Sequence, residues 1–204
     1  MKKLFLTLMI FFFIGMTLAF SQDQTPSRVH EFGLTFSNLD NFGIRYKTGT
    51  QKTLLRLTLL AMNISASHHY GREQDSIDQK QTGMGAGLRA GFEKRILIVQ
   101  NFQLLLGSDI GISYDFNKQD ISDNTFTMTE WRISPGIGFV FGAGYQIGQH
   151  FILSAEVTPS LYYTFGKRKY SSSSSSGSEV TNNNFSFGLS NMGASITFAY
   201  RFLK

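Results

Sequence analysis

Residues 82–94 read TGMGAGLRAGFEK, and apolar residues alternate with glycine or charged residues from Gly83 to Glu93. Met84 and Phe92 fall on one parity, whereas Arg89 and Glu93 fall on the other together with four glycines. A period of two places successive side chains on opposite faces of an extended chain. The stretch therefore predicts a β-strand with one apolar face and one face of glycine and charge.

The same alternation recurs in seven further segments, which turn-forming residues separate. These segments lie at 32–36, 42–47, 53–66, 102–116, 130–145, 151–165 and 185–202. In the last one the apolar residues move from odd to even positions near Ser190 and Asn191, which predicts a β-bulge. Helical spacing is nowhere sustained, so we predict an all-β chain of eight strands.

The composition excludes several classes of protein. Only 16% of the 204 residues are charged, against about 25% in an ordinary soluble domain, and there is no cysteine. A disulfide framework, a thiolate metal site and a cysteine-linked lipid anchor are therefore excluded. The excess of 19 basic over 14 acidic residues is small, so we expect no nucleic-acid partner.

The N-terminus has the features of an export signal. Lys2 and Lys3 precede an uncharged apolar stretch at 4–18, and Ala19 and Ser21 supply the small residues of a cleavage site. The apolar stretch is shorter than the roughly 20 residues that a membrane-spanning helix needs. We predict a signal peptide at 1–21, an N-terminal periplasmic segment at 22–28 and a single β-domain at 29–204.

The residue types on the two faces indicate which face points inward. The polar faces carry mainly glycine, serine and threonine, which suits a narrow lumen better than a solvated surface rich in lysine and glutamate. The apolar faces are long and carry aromatic residues near the strand ends, as expected at membrane interfaces. Those aromatic residues are Tyr46, Tyr114, Trp131, Tyr145, Tyr163 and Tyr200.

The lengths of the connections support the same architecture, because outer-membrane barrels have short periplasmic turns and longer external loops. The predicted turns are 48–52, 95–100 and 146–150, and the predicted external loops are 37–41, 67–81, 117–127 and 166–184. Three of the four external connections are long and polar. The fold class predicted is an eight-stranded antiparallel up-and-down transmembrane β-barrel.

The charged residues on the inward parity predict how the lumen is filled. The basic ones are Arg45, Lys47, Arg56, Arg89 and Arg132, and the acidic ones are Glu31, Glu93, Asp109, Asp115, Glu130 and Glu156. Near-balance of the two signs favours an ion-paired plug over a charge-selective pore. We take as candidates for lumen ion pairs Arg45, Lys47, Arg56, Arg89, Glu93, Asp109, Glu130, Arg132 and Glu156.

The signal peptide, the eight alternating segments and the stretch Ile196, Phe198, Tyr200, Phe202 together resemble the small outer-membrane β-barrel family of OmpA/OmpX type. More loosely, they resemble the group described as outer membrane protein β-barrel domain or porin family. The C-terminal stretch is similar to the signal read by the barrel-assembly machinery, with Leu203 and Lys204 added after the last aromatic. The resemblance implies architecture and an outer-membrane location more firmly than an activity.

Two other clusters are candidates for specific chemistry. His68 and His69 stand near Glu73, Asp75 and Asp78, but adjacent histidines at a strand end rarely bind one metal ion, so we expect solvated loop residues. His68 or His69 with a loop serine, at 65, 67 or 76, is also the only cluster that could serve a lipid-modifying enzyme. We predict no metal site, no cofactor and no catalytic residue.

The second cluster is basic. Lys167, Arg168 and Lys169 precede a serine-rich segment and are candidates for contact with lipid headgroups, including lipopolysaccharide. The function expected from all these features is structural or interactive, with external loops that contact a surface ligand. A channel for small solutes is the first alternative, and an enzyme that modifies lipid A is the second.

Overall fold

The computed structural model describes residues 28–37, 42–69, 79–121, 126–172, 175–189 and 193–203, and of residues 61–66, 68, 69, 175, 176 and 203 it describes the backbone alone. The predicted signal peptide and residues 22–27 lie outside these ranges. The described residues form ten strands: β1 (Val29–Phe36), β2 (Phe42–Gly49), β3 (Thr53–His69), β4 (Gln79–Val99), β5 (Phe102–Ile121), β6 (Phe126–Ile147), β7 (Phe151–Val157), β8 (Ser160–Ser172), β9 (Ser175–Gly188) and β10 (Ala194–Leu203). No helix among the described residues is long and apolar enough to cross a membrane.

Eight of these strands close into a ring of antiparallel neighbours. The order around the ring is β1, β2, β3, β4, β5, β6, β7 and β10. The ring closes between β10 and β1, with Phe36 opposite Ile196 and Val29 opposite Leu203. The prediction of an eight-stranded antiparallel barrel is confirmed as a closed ring.

The predicted seventh strand, 151–165, is divided by a proline. β7 pairs with one end of β6, where Phe141 lies opposite Val157, and β8 pairs with the other, where Gly138 lies opposite Ser160. Between them Pro159 has no N–H to donate to a ladder, although its carbonyl still accepts a hydrogen bond from Phe139 N at 2.9 Å. One predicted strand is therefore two strands in line.

The predicted eighth strand, 185–202, is likewise two strands, β9 and β10. Gly188 lies opposite Ser160 and Ala194 lies opposite Val157, so this chain segment carries extra residues relative to its neighbour. The exposed aromatic residues of β9, Phe185 and Phe187, are at odd positions, whereas the exposed large apolar residues of β10 are at even positions. The predicted change of parity is confirmed, while Ser190 and Asn191 themselves lie outside the described residues.

The boundaries predicted for three of the four external loops are wrong, because the strands continue well past their apolar faces; the loop predicted at 37–41 agrees with the end of β1 at Phe36 and the start of β2 at Phe42. The described parts of the loops predicted at 67–81, 117–127 and 166–184 are strand, and β8 and β9 are separated only by residues 173 and 174. Beyond the apolar band both faces of a strand are polar. The sequence there no longer alternates between apolar and polar residues, so the strand cannot be recognised from a period of two. We call this end of the barrel the upper end.

The turns at the opposite, lower end are also shorter than predicted. They consist of residues 50–52, 100–101 and 148–150. Asn101 (φ 69°) and Gly148 (φ 62°) adopt the left-handed conformation, which these two residue types tolerate best. Tight turns of this kind let neighbouring strands pair up to their lower ends.

The upper end is an open curved sheet rather than a closed ring. β1 and β2 are short, so only β3, β4, β5, β6, β8 and β9 continue upward. Among the described strands, β9 pairs with β8 alone, and residues 63–69 of β3 pair with β4 alone. The two free edges border the upper part of the lumen.

Candidate functional site

The lower lumen holds a cluster of charged side chains around Glu156. Its Oε1 accepts a hydrogen bond from Arg45 Nη1 at 2.8 Å, and its Oε2 accepts one from Arg56 Nη2 at 2.7 Å. Lys47 Nζ lies 3.4 Å from Oε1. Strand β7 brings Glu156 to face β2 and β3 across the lumen, so these contacts join residues about a hundred positions apart.

Glu93 connects this group to the next cations. Its Oε2 accepts hydrogen bonds from Lys47 Nζ at 2.7 Å and from Arg56 Nη1 at 3.0 Å, and its Oε1 accepts one from Arg95 Nε at 2.8 Å. Lys47 and Arg56 lie directly opposite each other on β2 and β3. Two like charges in that position repel, and the carboxylates of Glu93 and Glu156 offset the repulsion.

Glu31 forms the lower part of the same network. Arg95 donates hydrogen bonds to both carboxylate oxygens of Glu31, at 2.7 and 2.6 Å, in the bidentate geometry typical of strong arginine–carboxylate pairs. Arg201, directly opposite on β10, donates from Nε to Glu31 Oε1 at 3.0 Å and from Nη1 to Gln146 Oε1 at 2.9 Å. Arg56 Nε completes the network at 3.2 Å from Asp109 Oδ1.

We call these nine residues the lumen cluster: Glu31, Arg45, Lys47, Arg56, Glu93, Arg95, Asp109, Glu156 and Arg201. All nine are buried, and Arg56 and Glu93 are among the largest side chains with almost no exposure. Buried charges are tolerated when they are paired, and every member of the cluster forms an ion pair; the contact between Arg56 Nε and Asp109 Oδ1 is an ion pair without a hydrogen bond. The lower lumen is thus occupied by a crosslinked set of side chains.

The sequence-based list missed Arg95 and Arg201. Arg95 continues the inward parity of Glu93 by one more step, but the prediction ended that strand at Lys94. Arg201 occupies the inward parity of β10, between the exposed Tyr200 and Phe202. Extending the alternation of residues 82–94 by one residue would have found Arg95, and applying the inward parity to the end of the predicted strand 185–202 would have found Arg201.

The other predicted lumen residues lie higher. Arg168 Nη2 donates to Glu130 Oε2 at 3.0 Å, and Arg132 Nε lies 3.8 Å from Glu130 Oε1. The prediction of an ion pair for Arg89 is wrong, because no described carboxylate lies within 4.0 Å of it; it donates from Nη2 to the hydroxyl of Tyr162 at 2.6 Å. Arg89 lies above the lumen cluster, at a level where its partner across the lumen comes from β8 rather than from β7.

The basic residues at 167–169 lie in strand β8 and therefore alternate between its faces. Arg168 points to the lumen side, where it meets Glu130. Lys167 points outward and pairs with Glu179 on β9 at 2.5 Å, a hydrogen bond that lowers the pKa of Glu179. Lys169 also has the outward parity and has no ion pair among the described residues. The three predicted headgroup candidates therefore do not share one face: Lys167 and Lys169 have the outward parity, and Arg168 points inward.

The described residues contain no group of three or more metal-ligating side chains that could hold an ion. The side chains of His68 and His69 lie outside those described, so the structure does not test the cluster predicted there.

Comparison with known proteins identifies similar folds and no family. No family model and no curated protein sequence matches the chain. Among solved structures, the chain is similar to a major outer membrane protein from Thermus thermophilus, with 13% identity and a TM-score of 0.48 over 86% of this chain and 100% of that one. CarO of Acinetobacter baumannii has 12% identity and a TM-score of 0.42 over 90% of this chain and 100% of its own. Ail, the attachment invasion locus protein of Yersinia pestis, has 14% identity and a TM-score of 0.42, covering 87% and 100%. Likenesses at this level carry no functional argument.

Proposed function

We propose that the chain is an integral barrel of the bacterial outer membrane with a structural or surface-interaction role, and that its lumen is closed to solutes. The observation that carries this proposal is the inverted arrangement of the two faces. Charged side chains are buried inside the ring, whereas large apolar ones are exposed on its outer face, for example Leu59 at 53%, Phe139 at 49% and Leu153 at 43%. A continuous apolar exterior of this size needs a lipid environment.

A closed ring is also the form of sheet that lipid permits. In hydrocarbon an unpaired N–H or C=O costs several kcal/mol, so a spanning sheet must pair every strand on both sides. The eight-stranded ring meets this requirement through the pairing of β10 with β1. The aromatic residues fit the same placement: Tyr46 and Tyr145 lie near the lower turns, and Trp131 and Tyr163 lie just below the polar upper hairpins.

The orientation proposed places the lower turns in the periplasm and the upper hairpins outside the cell. The polar outer part of the hairpin of β8 and β9 would then be one surface offered to a ligand or partner. The exposed outward row Ile196, Phe198, Tyr200 and Phe202 on β10 supports assembly by the barrel-assembly machinery, as the resemblance implies. No enzymatic activity and no nucleic-acid binding form part of the proposal.

The absence of cysteine permits a direct test of this placement. We expect Ser178→Cys, on the upper part of β9, to react with a membrane-impermeant maleimide in intact cells. Lys52→Cys, in a lower turn, is the matched control, and we expect it to react only after the outer membrane is permeabilised. Labelling of Lys52→Cys alone in intact cells would reverse the orientation, and equal labelling only in lysed cells would contradict an outer-membrane location.

The outward lysines predict contact with anionic headgroups at the outer rim. Lys167 and Lys169 stand just beyond the apolar Phe165, and each cation near an anionic lipid surface contributes about 1 kcal/mol to attraction. We expect the double variant Lys167→Ser, Lys169→Ser to co-purify with less lipopolysaccharide than the wild type. The pair Lys52→Ser, Lys94→Ser removes the same charge at the lower end and should leave that amount unchanged. Equal lipid content in all three proteins would contradict the prediction.

A further inference from the structure

A cavity of about 170 Å³ lies above the lumen cluster, inside the curve of the upper strands. Its polar lining consists of one cation and five hydroxyl groups, contributed by Arg89, Ser113, Ser134, Tyr162, Thr164 and Ser186. No carboxylate among the described residues lines it. A cavity of this size holds several water molecules, so it suits a small solute.

Arg89 differs from the other cations that line the lumen. The five cations of the lumen cluster each meet at least one carboxylate, and Arg168 and Arg132 share Glu130. Arg89 has one protein partner among the described residues, the hydroxyl of Tyr162. A guanidinium carries five N–H donors, and Arg89 lines the cavity, so donors not used by Tyr162 are available to a ligand there.

Two strand glycines make room for this arrangement. A Cβ atom at Gly111 would lie 2.8 Å from Cγ of Arg89, and one at Gly136 would clash with the ring of Tyr162. Arg89 and Tyr162 can therefore lie across the lumen and meet. The glycines on the inward parity of β5 and β6 thus shape the cavity as well as relieving crowding in a narrow barrel.

The surrounding groups favour a negatively charged guest. The nearest carboxylate of the lumen cluster, Asp109, is held at 3.2 Å by Arg56 and does not line the cavity. Hydroxyl groups can donate to an anion; Ser134 and Thr164 already hydrogen-bond each other at 2.8 Å and can turn toward a guest. Arginine binds carboxylates and phosphates through two parallel N–H groups.

We propose that this cavity binds a small soluble oxyanion, a carboxylate or a phosphate, through Arg89 and the neighbouring hydroxyls. The site lies above the plug, so binding does not require passage through the lower lumen. It adds a ligand to a barrel whose proposed role is otherwise structural.

The test is calorimetric titration of the folded barrel in uncharged detergent with acetate and with inorganic phosphate. We expect at least one anion to bind, and Arg89→Gln to weaken that binding about tenfold or more, since hydrogen bonds to charged groups contribute about 1.5–3 kcal/mol. Arg132→Gln removes a cation four residues beyond Gly136 on β6, outside the cavity lining, and should change the affinity less than twofold. Neutral acetamide should not bind measurably.

Three results would overturn the proposal: no binding of either anion by the wild type, equal weakening by Arg89→Gln and Arg132→Gln, or acetamide binding as tightly as acetate. Retention of the heat-dependent gel shift by each variant establishes that it is folded. The measurement uses no membrane, so its failure is distinguishable from a failure of the outer-membrane placement.

Discussion

Replacing Glu156 with glutamine should lower the free energy of unfolding of the barrel by about 3–5 kcal/mol, the usual effect of removing one partner from a buried ion pair. Glu156 accepts hydrogen bonds from Arg45 and Arg56, and Lys47 lies within 3.4 Å. A neutral amide leaves these three buried cations near one another with less compensating charge. The loss should therefore be far larger than that of one ordinary hydrogen bond.

The measurement is urea unfolding in lipid vesicles, monitored by the fluorescence of Trp131, the one tryptophan in the chain. Glu179→Gln removes a carboxylate from the exposed pair with Lys167 and is the matched control; its urea midpoint should stay at the wild-type value, because exposed pairs contribute little. Equal midpoints for Glu156→Gln and the wild type would show that the cluster does not stabilise the fold.

Removing Arg56 and Glu93 together should open the lumen to ions. These two side chains are almost fully buried and meet at 3.0 Å in the middle of the plug. The double variant Arg56→Ala, Glu93→Ala removes one positive and one negative charge, so the net charge of the lumen cluster is unchanged while its bulk falls. Water and ions can then enter between the charges that are left.

Planar-bilayer recording tests this expectation. The wild type should give no steady conductance, and the double variant should give discrete open steps. Glu130→Ala with Arg132→Ala is the matched control, since it deletes one charge of each sign above the plug and should remain silent. Steady conductance by the wild type would favour the solute-channel alternative, and a folded but silent double variant would show that other residues close the lumen.

The sequence alone predicted the fold more completely than it predicted the contacts inside the lumen. The alternation in 82–94 and its repeats was enough to predict eight wall strands, because one apolar face per strand leaves a period of two. The same rule failed beyond Phe116 and Phe165, where both faces become polar, and so the upper strands were predicted as loops. Alternation also could not show that the seventh strand divides at Pro159, because that division depends on the different neighbours with which the two halves pair.

Parity predicted which charges point inward but not which of them meet. Lys47, Arg56 and Glu156 were all predicted for the lumen, yet their contacts join strands β2, β3 and β7 across the barrel. The height of each residue depends on strand register and on the tilt of strands in a closed ring, which local sequence does not specify. Arg89 shows the consequence, since its height places it against Tyr162 and away from every described carboxylate.

The sequence by itself determined the fold class, the number of wall strands and the inward or outward direction of most side chains, since these follow from alternation within each segment. Only the tertiary structure decided the extent of the upper hairpins, the membership of the lumen cluster with Arg95 and Arg201, and the isolation of Arg89 in a separate cavity. The physical reason is that alternation is a property of neighbours along the chain, whereas ion pairing inside a barrel depends on the relative heights of strands that are far apart in sequence.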